Sequence, residues 1–276
     1  MRVLRFALAV CLFFCVDLAR ADDQPDPSLC KVGIEGKMSA DRIIDTCTAL
    51  FQSDETSSKV LGAGHLIRGT AYDRKKDFDR ALTDYSEAVR LMPTSPDALR
   101  ARALVYAQKN DIDHAIADLD TEILLRPGLY AYLFRGNLHQ DKGQYDAAID
   151  DFSRALDLQP NSFDAYNGRC WTRALIGKDL QAALADCNSA LGLNSAAAEA
   201  VDSRGLVYFR LGQFAQAISD YSAALSFNPK EASSLYIRGL AKLRLGKTED
   251  GNTDVAAAKA IDPHVAERYA RYGIAP

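Results

Sequence analysis

The stretch YLFRGNLHQDKGQYDAAIDDFSRALDLQP, residues 132–160, decides the fold. It reads as two amphipathic helices joined at Lys142-Gly143 and closed by Pro160: a glycine after the last periodic residue stops the first helix, and a proline cannot continue the second. Gly136 on the first helix and Ala148 on the second are small where the helices would cross, so the backbones can approach to the ~8–10 Å of tight helix packing. Tyr145 and Phe152 fill the rest of the seam.

Working outward, Pro93, Pro127, Pro160, Pro229 and Pro263 stand at spacings of 34, 33, 69 and 34, and Ser195 divides the long interval into 35 and 34. A period in that range marks stacked supersecondary units. The frame is therefore six hairpins: 62–95, 96–128, 129–162, 163–197, 198–231 and 232–265. Small residues recur at both crossing places: Gly69, Ala103, Gly136, Cys170, Gly205 and Gly239, then Ala81, Ala115, Ala148, Ala183, Ala217 and Gly251. Turns between helices are marked at Gly143, Gly177, Gly212 and Gly246.

Every hairpin also carries an arginine just before its first crossing residue and an aspartate in its second helix. The pairs are Arg68 and Asp84, Arg102 and Asp118, Arg135 and Asp151, Arg169 and Asp186, Arg204 and Asp220, and Arg238 and Asp254. Their separation is 16 residues, or 17 in the fourth hairpin. The regularity predicts an Arg-Asp ladder between helices, within or between hairpins; the alternative is a basic stripe for an anionic ligand.

These residues closely resemble the tetratricopeptide family, over about three quarters of the chain, with residues 132–160 matching its motif nearly place for place. The resemblance implies an all-α, right-handed superhelical solenoid of helix-turn-helix repeats, and a binding scaffold without cofactor. The family's aromatic at the fourth place survives as Tyr132 and Tyr166, whereas His65, Leu99, Val201 and Leu235 stand there elsewhere. Its chaperone-tail carboxylate clamp is missing, since the corresponding pairs are Leu66 with Thr70, Arg100 with Leu104, and Leu133 with Asn137.

The flanks carry separate information. Arg2 and Arg5 precede an apolar run from Phe6 to Val16, followed by Ala19-Arg20-Ala21. This reads as a secretory signal over 1–21, cleaved after Ala21, because the run is too short for the ~20 apolar residues of a spanning helix. An uncleaved anchor is the alternative. Removing three arginines and one aspartate shifts the formal charge from −4 to −6. No comparable run follows, so stable membrane insertion is not expected, and the acidic balance argues against nucleic acid as a partner. A flexible leader spans 22–38 and a degenerate hairpin 39–61, with Ser39 as helix N-cap. A capping helix in 264–276 would bury Val265, Tyr269 and Tyr272 and seal the last repeat.

Four cysteines remain after cleavage, and an even count in an exported chain favours disulfides. Cys30 to Cys47 and Cys170 to Cys187 are each 17 residues apart, and Cys47 and Cys187 share the aromatic seam place. That parallel favours two local bridges over the other pairings or free buried thiols. The expected location is the periplasm, with a secreted protein as the alternative.

Catalytic patterns are lacking. His65, His114, His139 and His264 are dispersed, Asp150 and Asp151 point in different directions on one helix, and no Gly-x-Ser-x-Gly occurs. Gly62-Ala-Gly64 lacks the third glycine of a nucleotide loop and reads as a helix lead-in. Binding is the remaining class. First helices line the concave face of such solenoids, which nominates Asn137, Asn167, Trp171, Leu206, Phe209, Arg210, Tyr236, Leu240, Leu243 and Arg244 as an exposed groove for an unidentified protein or peptide. Alternatively these side chains pack between first helices or under the leader. The expected function is a scaffold in envelope assembly or secretion; a self-associating structural protein, and last a hydrolytic enzyme, are the alternatives.

Overall fold

Each hairpin turn is built the same way, and that local geometry sets the architecture. In a computed structural model describing residues 30, 38–52 and 57–275, a left-handed residue stands one or two places past the end of each first helix: Lys76, Asn110, Gly143, Gly177, Gly212 and Gly246, with φ of 60, 61, 74, 71, 73 and 74°. The next amide reaches back five residues, as in Asp77 N–H to Tyr72 O (2.9 Å), Gln144 to His139 (2.8 Å) and Lys247 to Lys242 (3.0 Å). This closing pattern satisfies carbonyls that the helix end leaves open. In the fourth turn two residues instead of one separate the left-handed glycine from the next helix, and Asp179 is left-handed too (φ 48°), which accounts for the longer Arg-Asp interval there. The expected signal and its cleavage site lie outside the described residues, as does the leader apart from Cys30 and Met38.

The described residues form fourteen helices. Two compact units divide the chain at residues 131 and 132. The first contains α1 (Ala40–Leu50), α2 (Ser58–Arg74), α3 (Phe78–Leu91), α4 (Pro96–Gln108) and α5 (Ile112–Leu125). α6 (Leu129–Asp141) begins at the boundary. The second contains α7 (Tyr145–Leu158), α8 (Phe163–Ile176), α9 (Leu180–Leu193), α10 (Ala198–Arg210), α11 (Phe214–Phe227), α12 (Ala232–Arg244), α13 (Thr248–Ile261) and the short α14 (Val265–Ala270). Serine hydroxyls cap α1, α2, α4 and α8: Ser39 accepts from Arg42 N–H, Ser57 from Val60, Ser95 from Ala98 and Ser162 from Ala165.

Pairs of consecutive helices pack as hairpins because the crossing residues leave no room for a side chain. A Cβ on Gly69 would come within 2.7 Å of the Tyr85 ring, one on Gly136 within 3.0 Å of Phe152, and one on Gly205 within 3.0 Å of Tyr221. In the fourth hairpin a disulfide takes this place: Cys170 and Cys187 are bridged across a Cα separation of 5.5 Å, both fully buried. Cys30 and Cys47 are bridged at 5.2 Å and share a core with Ile43, Leu50 and Ala71. α1 thereby lies where a second helix would, tied by the bridge to Cys30.

α2 starts at Ser58, four residues upstream of the expected repeat edge at Gly62. Gly62 and Gly64 therefore lie inside the helix, not ahead of it. A Cβ on Gly62 would meet Met92 at 2.7 Å and one on Gly64 would meet Phe51 at 2.9 Å, so both glycines serve packing.

The arginines and aspartates pair within hairpins, not between them. Each guanidinium gives its Nε and Nη2 hydrogens to the two oxygens of one carboxylate: Arg68 to Asp84 (2.8 and 2.8 Å), Arg102 to Asp118 (2.8 and 2.7 Å), Arg135 to Asp151 (3.0 and 2.6 Å), Arg169 to Asp186 (2.9 and 2.7 Å), Arg204 to Asp220 (2.8 and 2.9 Å) and Arg238 to Asp254 (2.7 and 2.9 Å). All six aspartates are buried. Planar two-point pairing of this kind fixes orientation as well as charge. Burial pushes the Asp84 carboxyl up, but hydrogen bonds from Arg68 and His65 outweigh it and hold it below its ordinary value. Asp254 is held low in the same way by Arg238 and Lys242.

The remaining guanidinium nitrogen reaches the second helix of the preceding hairpin. Arg68 Nη1 donates to Thr48 Oγ1 (2.9 Å), Arg169 to Ser153 Oγ (3.0 Å), Arg204 to Asn188 Oδ1 (3.3 Å) and Arg238 to Ser222 Oγ (3.3 Å). One side chain thus ties three helices.

Candidate peptide-binding face

The groove nominated from sequence is not an open strip. Leu206, Phe209, Tyr236 and Leu240 are buried, in one core with Val265, Tyr269 and Ile274. One physical reason is the C-terminal segment, 265–275, which joins this core and covers Tyr236 with Tyr269; Phe209 also packs on Phe214 of its own hairpin, with ring centroids 5.6 Å apart. α14 is too short to repeat the earlier first helices: Gly273 (φ 69°) ends it, with Ile274 N–H donating to Tyr269 O (3.1 Å) and Gly273 N–H to Ala270 O (2.9 Å). This is the same closure used in the hairpin turns, and it folds Ile274 back to 2% exposure.

The segment is held at both ends. Tyr269 stacks on Tyr236 with centroids 5.8 Å apart. The Tyr272 ring meets Tyr145 edge-on at 6.1 Å, and the Tyr145 hydroxyl lies 3.0 Å from that of Tyr272. Burial first, then this hydrogen bond and the neighbouring phenol, push the Tyr145 hydroxyl up to about 12. Arg210 donates to the carbonyls of Ala174 (3.1 Å) and Leu175 (2.5 Å) at the end of α8, and to the Tyr272 carbonyl (2.6 Å). Arg244 donates to the Ala275 carbonyl (3.0 Å). Both cations sit where helix carbonyls concentrate negative charge. Among the described residues Arg210 bonds only to neutral carbonyl oxygens, and its burial lowers its pKa.

The other nominated residues divide. Leu243 belongs to the hairpin seam, where a Cβ on Gly251 would lie 2.7 Å from its Cγ. Trp171 is half-buried and packs on the core beside the bridged Cys170. Asn137 and Asn167 are half-buried, and Asn167 Oδ1 is buried without a hydrogen bond among the described residues. Tyr145 and Ile274 were missed, although a glycine followed by an aliphatic at 273–274 carries the same closing signal as the hairpin turns.

Among the described residues, no group of three or more His, Cys, Asp or Glu could hold a metal, and no helix is long and apolar enough to cross a membrane. The histidines have separate partners: His65 with Asp84 (2.8 Å), His114 with Asp111 (2.8 Å), His139 with Gln144 (2.6 Å) and His264 with Glu267 (3.1 Å).

Models of the tetratricopeptide repeat match residues 68–128, 129–162 and 205–246. The chain belongs to the tetratricopeptide-repeat family. Among curated proteins it is similar to human tetratricopeptide repeat protein 13, 29% identical over 119 residues, which are 41% of this chain and 13% of that protein. It spans 29% of a second human relative, tetratricopeptide repeat protein 6, at 27% identity over 54% of this chain. In fold it is similar to a tetratricopeptide repeat protein from Parabacteroides merdae (TM-score 0.62, 20% identity, covering 85% of this chain and 93% of that one). Two others are PilW, described as a type IV pilus biogenesis factor (0.62, 17%, covering 78% and 99%), and YrrB, described as having an unusual peptide-binding site (0.52, 20%, covering 69% and 98%). The tetratricopeptide hairpins of this chain are thus a scaffold architecture, and its own C-terminal segment lies on the first helices α10 and α12 and reaches Tyr145 at the start of α7.

Proposed function

We propose that this tetratricopeptide-repeat protein is an exported scaffold that binds a protein or peptide partner through the first-helix face of residues 132–276. One observation carries the reading: Arg210 and Arg244 hold main-chain carbonyls, which any peptide offers, while Tyr145 and Tyr236 receive aromatic side chains. Main-chain hydrogen bonds supply affinity and side-chain pockets supply selectivity in peptide recognition. Support for export comes from the apolar run Phe6–Val16 and from the two bridged cysteine pairs, since disulfides persist in oxidising compartments. The periplasm is the compartment we favour. A role in envelope assembly or secretion is consistent with a fold neighbour being described as a pilus factor.

The test is proximity labelling from the full chain in native cells, comparing wild type with Arg210→Ala. Envelope proteins enriched by the wild type and lost with the variant are expected. An identical labelled set from both would overturn the reading.

A further inference from the structure

Stacked repeats contact only their neighbours, and a terminal cap should touch only the last hairpin. The segment 265–275 does not behave so. Tyr269 packs on the sixth hairpin through Tyr236, but Tyr272 reaches the third hairpin at Tyr145, 127 residues away, and its carbonyl is held by Arg210 of the fifth. Through Arg210 it also shares a guanidinium with the α8 carbonyls of the fourth. Val265, Tyr269 and Ile274 seal the last core, so the reach of Tyr272 across three further hairpins goes beyond a cap and is the behaviour of a ligand.

The chemistry of the contact points the same way. α14 has six residues, far below the ~12–15 at which an isolated helix holds in water, so the segment owes its helical form to the face beneath it. Among the described residues Arg210, half-buried, donates to carbonyl oxygens alone: two at the end of α8, where the helix dipole concentrates negative charge, and that of Tyr272. A face built in this manner selects the C-terminal end of a helix, carrying two aromatics three residues apart and an aliphatic beyond a glycine turn.

We propose that residues 265–275 are a resident ligand, and that a partner supplies a short amphipathic helix of the same chemistry, ending against Arg210, in exchange for it. This rests on the scaffold reading above and adds the partner's character and the means of its control. While the segment is seated, affinity for an outside helix is reduced by the fraction of time that the face is open.

The test uses the full chain with Tyr269→Ala and Ile274→Ala, which weakens the seated segment without altering the face. The probe is a fluorescein-labelled peptide of residues 262–275, followed by anisotropy. It is expected to bind the double variant ~tenfold or more tighter than wild type, as an opened face requires, and to lose that binding when Arg210→Ala is added. Equal binding to wild type and a folded double variant, or binding indifferent to Arg210→Ala, overturns the proposal. Should the double variant lose helicity, hydrogen exchange on the wild-type chain decides: Gly273 and Ile274 amides exchanging faster than those of α12 support a detachable segment, and equal protection rejects it. Light scattering gives a further arm, since dimerisation of the double variant without peptide capture would assign the face to a second copy and overturn the proposal. Loss of exchange with Arg210-dependent partners still labelled in cells would reject the resident ligand alone; exchange without such partners would reject the scaffold reading.

Discussion

Replacing Asp186 by Asn puts the ladder under its heaviest load. The carboxylate is 7% exposed and accepts from Arg169 twice and from Arg173 Nη1 at 2.6 Å, while those arginines are 18% and 15% exposed. Asparagine keeps the shape but offers one acceptor, and turns N–H groups toward two guanidiniums. Among the described residues Arg173 Nε is already buried without a hydrogen-bond acceptor, so none of them stands by as a spare. Removing one member of a buried pair costs about 3–5 kcal/mol. The residual exposure of both arginines places this site at the lower end, ~3 kcal/mol, which for a unit of this size lowers Tm by about 6–12 °C at roughly 2–4 °C per kcal/mol. The assay is local as well as global: Trp171, the single tryptophan, lies on α8 between the two arginines, so urea unfolding followed by its emission reports this hairpin while circular dichroism reports the whole chain. A shift below ~0.5 kcal/mol, the range of ordinary surface substitutions, would refute a stabilising ladder. A neutral triple variant, Asp186→Leu with Arg169→Met and Arg173→Met, should recover most of the loss.

Lys76 is exposed and left-handed, a conformation that costs a non-glycine residue about 1–2 kcal/mol. Lys76→Gly should therefore raise the stability of the first hairpin by ~0.5–1 kcal/mol after the entropy of the unfolded glycine is deducted, and no gain in urea midpoint would count against the turn assignment. Acid sensitivity follows from Asp84: its folded carboxyl is held low, so its contribution is present above the unfolded value near ~3.9 and is lost as pH falls through the folded one. Asp84→Asn should be less stable at neutral pH and show a shallower acid limb; an unchanged limb would remove the linkage.

Much of this was legible in the chain because it depends on local, repeated chemistry. The small crossing residues and the Arg-Asp pair recur at one place per hairpin, and a closing proline does so in five of the six. Lys76 and Asn110 were harder to read, since the turn there uses residues that tolerate a left-handed backbone without announcing it. The start of α2 at Ser58 was obscured by Gly62 and Gly64, whose composition suggests a helix edge while their role is close packing. The candidate face was misjudged for a different reason. Periodicity places Leu206, Tyr236 and Leu240 on one side of their helices, but it cannot show that residues from the end of the chain return to cover them. That pairing is long-range, and only Tyr269, Tyr272 and the Gly273-Ile274 step hint at it.

The reach of Arg68, Arg169, Arg204 and Arg238 to the helix before their own hairpin has a bearing on how such a chain could grow. A hairpin copied in frame carries both halves of the joint: an arginine that looks backward and, two residues past its aspartate, a polar side chain for its successor, as at Ser153, Asn188 and Ser222. Duplication would add a module with its connector already matched, without a compensating change elsewhere. In the last hairpin the corresponding residue is Ala256, so the socket is missing where the series stops.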